Sequence, residues 1–263
     1  MLPNWMTIPA LTGAFKSLMV LKLEDLPCCT KLPDALCRLP SLKTLAIINA
    51  PAIKCVGFEF QQAASPWAAG RGGGIVDTST IAFPNLTSLC LQGLCEWEQW
   101  DWEDDMTASA CAMAMPVLEE LIIYNCKLNR LPPGLANSKR HASRKLFLYG
   151  LTNLTCVENF PSLLELDMFD CLELKRISGL SRLHRIRIVR CPNVEVLEGV
   201  LSLDSLLLEE ATMEALPRYL RDVTPRYLEL GCNKKLYESI YSDSTCERDK
   251  IRHIGKHDIN CIK

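Results

Sequence analysis

The amino-acid sequence predicts an α/β solenoid, a curved stack of short repeats whose strands line one concave parallel sheet. Three observations predict it. Leu163, Leu166, Met168, Cys171, Leu174 and Ile177 are matched 20 residues on by Leu183, Ile186, Ile188, Cys191, Val194 and Leu197. The pattern L-x-x-L-x-L, followed by further apolar residues, recurs with a period in the twenties from Leu18 to Ile240. Four successive units begin at Ser143, Leu163, Leu183 and Leu203, a step too short for outer helices of more than a turn or two. Together these define leucine-rich repeats: a horseshoe with about nine short concave strands and an irregular or short-helical convex side.

Each unit follows from the alternation of a strand. Residues two apart point to one face, so the leucines of L-x-L go inward and the intervening residues face solvent. The first unit carries Leu18, Leu21, Leu23 and Leu26, and the second Leu42, Leu45, Ile47, Ile53 and Val56. The third carries Leu86, Leu89, Leu91, Leu94 and Trp97, and the fourth Leu118, Leu121, Ile123, Cys126 and Leu128. Leu146, Leu148, Leu151 and Leu154 form a fifth, and the matched pair of units follows. The eighth has Leu203, Leu206, Leu208 and Leu216, and the ninth Pro225, Leu228, Leu230, Asn233 and Leu236. Pro40, Pro84, Pro116 and Pro161 each stand two residues before a first leucine, where the missing backbone donor does little harm to the ladder. Nine strands at roughly 4.8 Å make a surface about 40 Å long.

These units set the expected organisation. Residues 1–17 read as the tail of a preceding, truncated repeat or a linker, and 18–240 as the repeat domain. Insertion loops are expected at about 61–82, rich in Ala and Gly, and 96–115, acidic and tryptophan-bearing. Residues 241–263, where the pattern dissolves, are expected to cap the array.

The composition is that of an ordinary folded chain, 48% hydrophobic and 23% charged with net charge −2, which argues against a general nucleic-acid partner. No signal sequence or membrane-spanning run is visible, so a cytoplasmic location is expected. Cys126, Cys171 and Cys191, three of the 14 cysteines, occupy one repeat position, as small buried hydrophobes would. They are expected to be reduced, and the sequons at Asn85 and Asn153 would matter only in a secreted chain.

Three phrases resemble one family. FKSLMVLKLEDLPCCTKLPDALCRLPSLKTLAIINAPAIKCVGFEF, from Phe15 to Phe60, is similar to a stretch of the plant nucleotide-binding leucine-rich-repeat immune receptors, the NLR disease resistance proteins. FPNLTSLCLQGLCEWEQWDWE resembles the phrase that follows in that family. CERDKIRHIGKHDINCIK, from Cys246 to Lys263, looks like the tail that closes many of its members, with Arg248 where a Trp is usual. Ala35-Leu36-Cys37 departs from the family's common Leu-Gly step, and no phosphate-binding loop or coiled-coil segment occurs in the chain. The resemblance implies a protein-recognition module of innate immunity, sensing pathogen effectors or modified host proteins in plant defense. It also implies regulation of a nucleotide-binding module of the parent receptor that this chain lacks. The alternative is the substrate-recognition repeat domain of a ubiquitin-ligase adaptor, though its usual F-box and 26-residue cysteine-rich repeats are not seen.

The exposed strand positions supply the candidate contact face. Its central column runs Lys22, Ala46, Cys90, Ile122, Phe147, Asp167, Arg187, Leu207, Glu229. Beside it stand Tyr124, Arg144, Lys145, Tyr149, Glu165, Phe169, Asp170, Arg185, Val189, Arg190, Glu209 and Glu210. Exposed aromatic and arginine side chains are the types that anchor protein interfaces, so Tyr124, Phe147, Tyr149 and Phe169 are expected to contact a protein partner. Asp167 and Arg187 could equally pair with each other across adjacent strands. No catalytic residue and no cofactor is expected: the histidines are scattered and no nucleophile motif appears. Cys246, His253, His257 and Cys261 have some of the spacing of a zinc site, but the first interval is long for a zinc hairpin and no metal is expected. Gly70 to Gly74 has the glycines of a phosphate cradle without its Lys-Ser/Thr. No membrane partner is expected either.

Overall fold

A computed structural model describes residues 15–33, 36–56, 82–100, 115–132, 143–242 and 247–262. In chain order the strands are β1 (Val20–Glu24), β2 (Thr44–Ile48), β3 (Cys55–Val56), β4 (Ser88–Gln92) and β5 (Gln99–Trp100). They continue with β6 (Glu120–Tyr124), β7 (Lys145–Tyr149), β8 (Cys156–Glu158), β9 (Glu165–Phe169) and β10 (Arg176–Ser178). The last five are β11 (Arg185–Val189), β12 (Val196–Glu198), β13 (Ser205–Glu210), β14 (Tyr227–Cys232) and β15 (His257–Cys261). Ten of them form one parallel sheet in the order β1-β2-β4-β6-β7-β9-β11-β13-β14-β15, which is the concave ladder of a leucine-rich-repeat solenoid. On the convex side β8, β10 and β12 form a second small parallel ladder and β3 pairs with β5.

The leucines of the repeat do what alternation requires. Leu45, Ile47, Leu89, Leu91, Leu166, Leu206 and Leu228 are completely buried, and the residues between them face outward. The ladder extends backwards from each strand: Thr87 N donates to Lys43 O, Glu119 N to Thr87 O and Arg144 N to Glu119 O, at 2.8 or 2.9 Å. Each of seven successive concave strands then turns through a left-handed residue: Asp25, Asn49, Gly93, Asn125, Gly150, Asp170 and Arg190. Gly, Asn and Asp take that conformation most readily, and Arg190 is the exception.

Four features go beyond the repeat pattern. Among the described residues the concave sheet has ten strands, one more than the repeat units, because the tail supplies β15, in register with β14 from Leu228↔His257 to Cys232↔Cys261. Ala82, expected in the first insertion, is buried in the stack and accepts a bond from Met115 N. Trp97, the last apolar position of the third unit, packs 5.2 Å from Trp100, and both are buried despite the acidic residues beside them. Val189 and Glu210, expected outside, are buried. Residues 61–81 and 101–114, including Gly70 to Gly74 and Trp102, lie outside the described residues.

The convex side carries short elements. Among the described residues the α-helix α1 (Lys234–Tyr241) follows Asn233, whose side chain caps it by accepting from Leu236 N at 2.9 Å. The same amide donates to Ala211 O and Met213 O, tying the eighth unit to the ninth. Beyond α1, Ile251, Ile254 and Ile259 bury against the end of the core. Lys250 is buried with them and donates to Leu216 O at 2.8 Å and to both oxygens of Glu247, while Glu247 accepts from Leu216 N.

Candidate functional site

The concave strands β6, β7, β9 and β11 bring the candidate residues into columns. Register pairs Ile122 with Phe147, Phe147 with Asp167, and Tyr124 with Tyr149 and then Phe169. Tyr124 meets Tyr149 edge-on, with centroids 6.2 Å apart. Phe147 stacks beside Tyr149 at 6.3 Å and 29°. Tyr124 is exposed and Phe147, Tyr149 and Phe169 are half-buried, so an aromatic strip faces the concavity. Burial raises the Tyr149 hydroxyl above its usual range; Asp167 adds to that shift and Arg187 opposes it.

The charged residues around the strip pair with one another. Asp167, whose side chain is 13% exposed, accepts from Arg187 at 3.1 Å. Glu165 lies 3.6 Å from both Lys145 and Arg185. Arg190 grips Asp170 with two bonds of 2.6 Å, and its guanidinium lies 3.9 Å from the centroid of Phe169. The acidic strip of one repeat is thereby neutralised by the basic strip of the next. Arg144 is exposed and makes no side-chain hydrogen bond or ion pair among the described residues.

The structure thus gathers Tyr124, Phe147, Tyr149, Asp167, Phe169, Arg187 and Arg190 into one patch. Arg144, Lys145 and Arg185 stand along the edge where the strands begin, and Glu209 lies two strands beyond Phe169. Glu210 leaves the face because its carboxylate accepts from the backbone and hydroxyl of Thr212 at 2.9 and 2.7 Å. Sequence reasoning missed Asp258. It faces Glu229 across β14 and β15, and a strand with a single inward aliphatic, Ile259, carries too little alternation to be recognised.

Among the described residues no cluster of three or more His, Cys, Asp or Glu could hold a metal. His253 hydrogen-bonds Val223 O at 2.8 Å and His257 opens β15, so the two do not share a helical face; Cys246 lies outside the described residues. The repeat cysteines are buried thiols bonded to strand carbonyls, as Cys126 is to Tyr124 O and Cys171 to Leu148 O. Burial pushes the Cys126 thiol up to about 12. Cys191 is likewise raised, by its hydrogen bond to Cys171 and by burial. A convex cleft of about 660 Å³ opens between the seventh and eighth units, lined by Val194, Glu195, Met213, Glu214 and Arg218. Among the described residues, no helix is long and apolar enough to cross a membrane.

Among solved structures, the chain is similar to the leucine-rich-repeat domain of the type III effector XopL. The two share 16% identity with a TM-score of 0.50 over 81% of this chain and 75% of that one. At that identity the likeness speaks to the fold, a leucine-rich-repeat solenoid. No family model and no curated protein matches the chain.

Proposed function

We propose that the chain is a protein-recognition module, the leucine-rich-repeat domain of a plant intracellular immune receptor. It senses pathogen effectors or host proteins altered by them, and regulates the nucleotide-binding module of the receptor. The observation that carries recognition is the aromatic strip of Tyr124, Phe147, Tyr149 and Phe169, held open on a concave parallel sheet. Aromatic side chains bring large contact area at low entropic cost, and here their neighbours' charges are already satisfied, so a partner need not desolvate them unpaired. The plant receptor class is supported by the three phrases, including the Lys250-Ile251-Arg252-His253-Ile254 run of the tail.

The experiment is to read the genomic frame around the chain and to co-express any nucleotide-binding module it encodes. Co-purification with this chain, weakened by Phe147→Ala or Tyr149→Ala or slowed in nucleotide exchange by the chain, is the expected result. An F-box in that frame in place of a phosphate-loop module would sink the receptor class.

A further inference from the structure

The concave face is electrostatically uneven along its length. From β7 to β11 every acid on it has a basic partner: Glu165 with Lys145 and Arg185, Asp167 with Arg187, Asp170 with Arg190. Beyond β11 the pairing stops. Glu209, Glu229 and Asp258 make no ion pair among the described residues, and the register sets Glu229 directly opposite Asp258. Like charges opposite each other on neighbouring strands destabilise a sheet. Two basic groups at this end have contacts of their own: Arg226 lies 3.2 Å from Asp204, and Lys256 stands over the Tyr227 ring at 5.5 Å. The Tyr227 hydroxyl is raised by desolvation and then by the charges of Asp258 and Glu229. Gly231 leaves room for the Glu209 side chain, since a Cβ there would come within 2.9 Å of Glu209 Cγ. The same concave surface therefore has an aromatic patch at its centre and, at one end, carboxylates that make no ion pair among the described residues, of which Glu209 alone feels the charge of Arg190.

We propose that this face takes a segment of a partner protein laid across the strands. Its aromatic or aliphatic anchor sits on Phe147, Tyr149 and Phe169, and its lysine or arginine residues lie over Glu209, Glu229 and Asp258. The inference rests on the protein-recognition reading above and specifies the partner's chemistry. At roughly 4.8 Å per strand, the acids on β13 to β15 stand about 14 to 24 Å from Phe147 on β7. A helical partner covers that span in about 10 to 16 residues at 1.5 Å each. A basic end gains from carboxylates that make no ion pair among the described residues, and its approach relieves the repulsion between Glu229 and Asp258.

The test selects binders from a displayed library of random peptides on the whole chain. Selected peptides are synthesised and titrated against the wild type, Glu229→Gln/Asp258→Asn and Phe147→Ala/Tyr149→Ala, each checked by circular dichroism. The expected peptides pair an apolar anchor with Lys or Arg, bind more weakly as salt rises, and lose about tenfold in affinity on either double substitution. Peptides that respond to the aromatic variant but not to the acidic one overturn the basic-end inference and leave the recognition face standing. Peptides indifferent to both, or a selection without binders, count against the recognition face as well.

Discussion

Arg190 and Asp170 form a two-bond fork at 2.6 Å across adjacent repeats, and both residues adopt left-handed backbone, at φ 51° and 56°. Aspartate tolerates that conformation and arginine seldom does. The six preceding positions in the column are all Asp, Asn or Gly. Arg190→Gly should therefore relieve the backbone while losing the fork, and Arg190→Ala should lose the fork and keep the strain. In thermal melts the alanine variant is expected a few degrees below the glycine one. The reverse order would mean that the backbone at 190 is not strained.

A second prediction concerns Asp167 and Arg187, 3.1 Å apart on β9 and β11. Asp167→Asn is expected to cost about 0.5–1 kcal/mol in urea denaturation, and the double swap Asp167→Arg/Arg187→Asp to recover most of it. The Tyr149 hydroxyl, raised by burial and then by Asp167, should titrate at lower pH in Asp167→Asn, because Arg187 then acts on it alone. Ultraviolet tyrosinate titration reads that shift. A swap that leaves stability unchanged but alters partner binding would assign the pair to recognition instead.

The buried thiols make the fold sensitive to alkali. Cys126 has an ordinary value of 9.0 and is held at about 12 in the fold by burial, so the unfolded chain loses this proton first. Its contribution to stability is complete below pH 9 and is lost as pH rises from about 9 towards 12. Buried Tyr219 is also raised, chiefly by burial, and acts in the same direction. Urea midpoints should fall between pH 8 and pH 10.5, and less so in Cys126→Ala relative to its own value at pH 8. Iodoacetamide at pH 8 should label exposed Cys28, Cys55, Cys95 and Cys261 before buried Cys126, Cys171, Cys191 and Cys232, which mass spectrometry can score.

The tail offers a fourth prediction. Lys250 and Glu247, 10% and 14% exposed and 2.8 Å apart, together satisfy both backbone groups of Leu216. Glu247→Ala leaves a buried ammonium and an unbonded amide, and is expected to cost about 3 kcal/mol. Lys250→Met/Glu247→Leu should cost less than the sum of its single substitutions. Limited proteolysis should then cut between Ser242 and Ile262 in Glu247→Ala before it cuts the repeats. Equal resistance in wild type and variant would show that the pair does not hold the tail.

The repeat units were legible because each strand places two or more aliphatics at period two, and the period of 20 made Asp167 and Arg187 neighbours before any coordinate was known. Such self-similarity also marked the exposed columns, including Phe147 and Tyr149. What lay outside it was not legible. β15 has one inward aliphatic, Ala82 looks like part of a small-residue loop, and Trp100 follows the exposed acids Glu96 and Glu98. Glu210 left its column through a local bond to Thr212, and Arg190 took a backbone conformation that its residue type does not announce. These depend on one-off contacts, which carry no period.

The spacing between paired strands also implies an order of assembly. Lys145, Glu165, Arg185 and Ser205 pair at steps of 20 residues, whereas Thr44 pairs with Ser88 across 44. Closing a loop costs about 0.6 kcal/mol more for each doubling of its length. The stretch from β7 to β13 is therefore the cheapest place to nucleate, and structure should then propagate outward from it, reaching β1 and β2 late. The strands that carry Phe147, Tyr149 and Phe169 would be among the first to form a sheet, leaving Glu229 and Asp258 on β14 and β15 to be assembled onto an existing template.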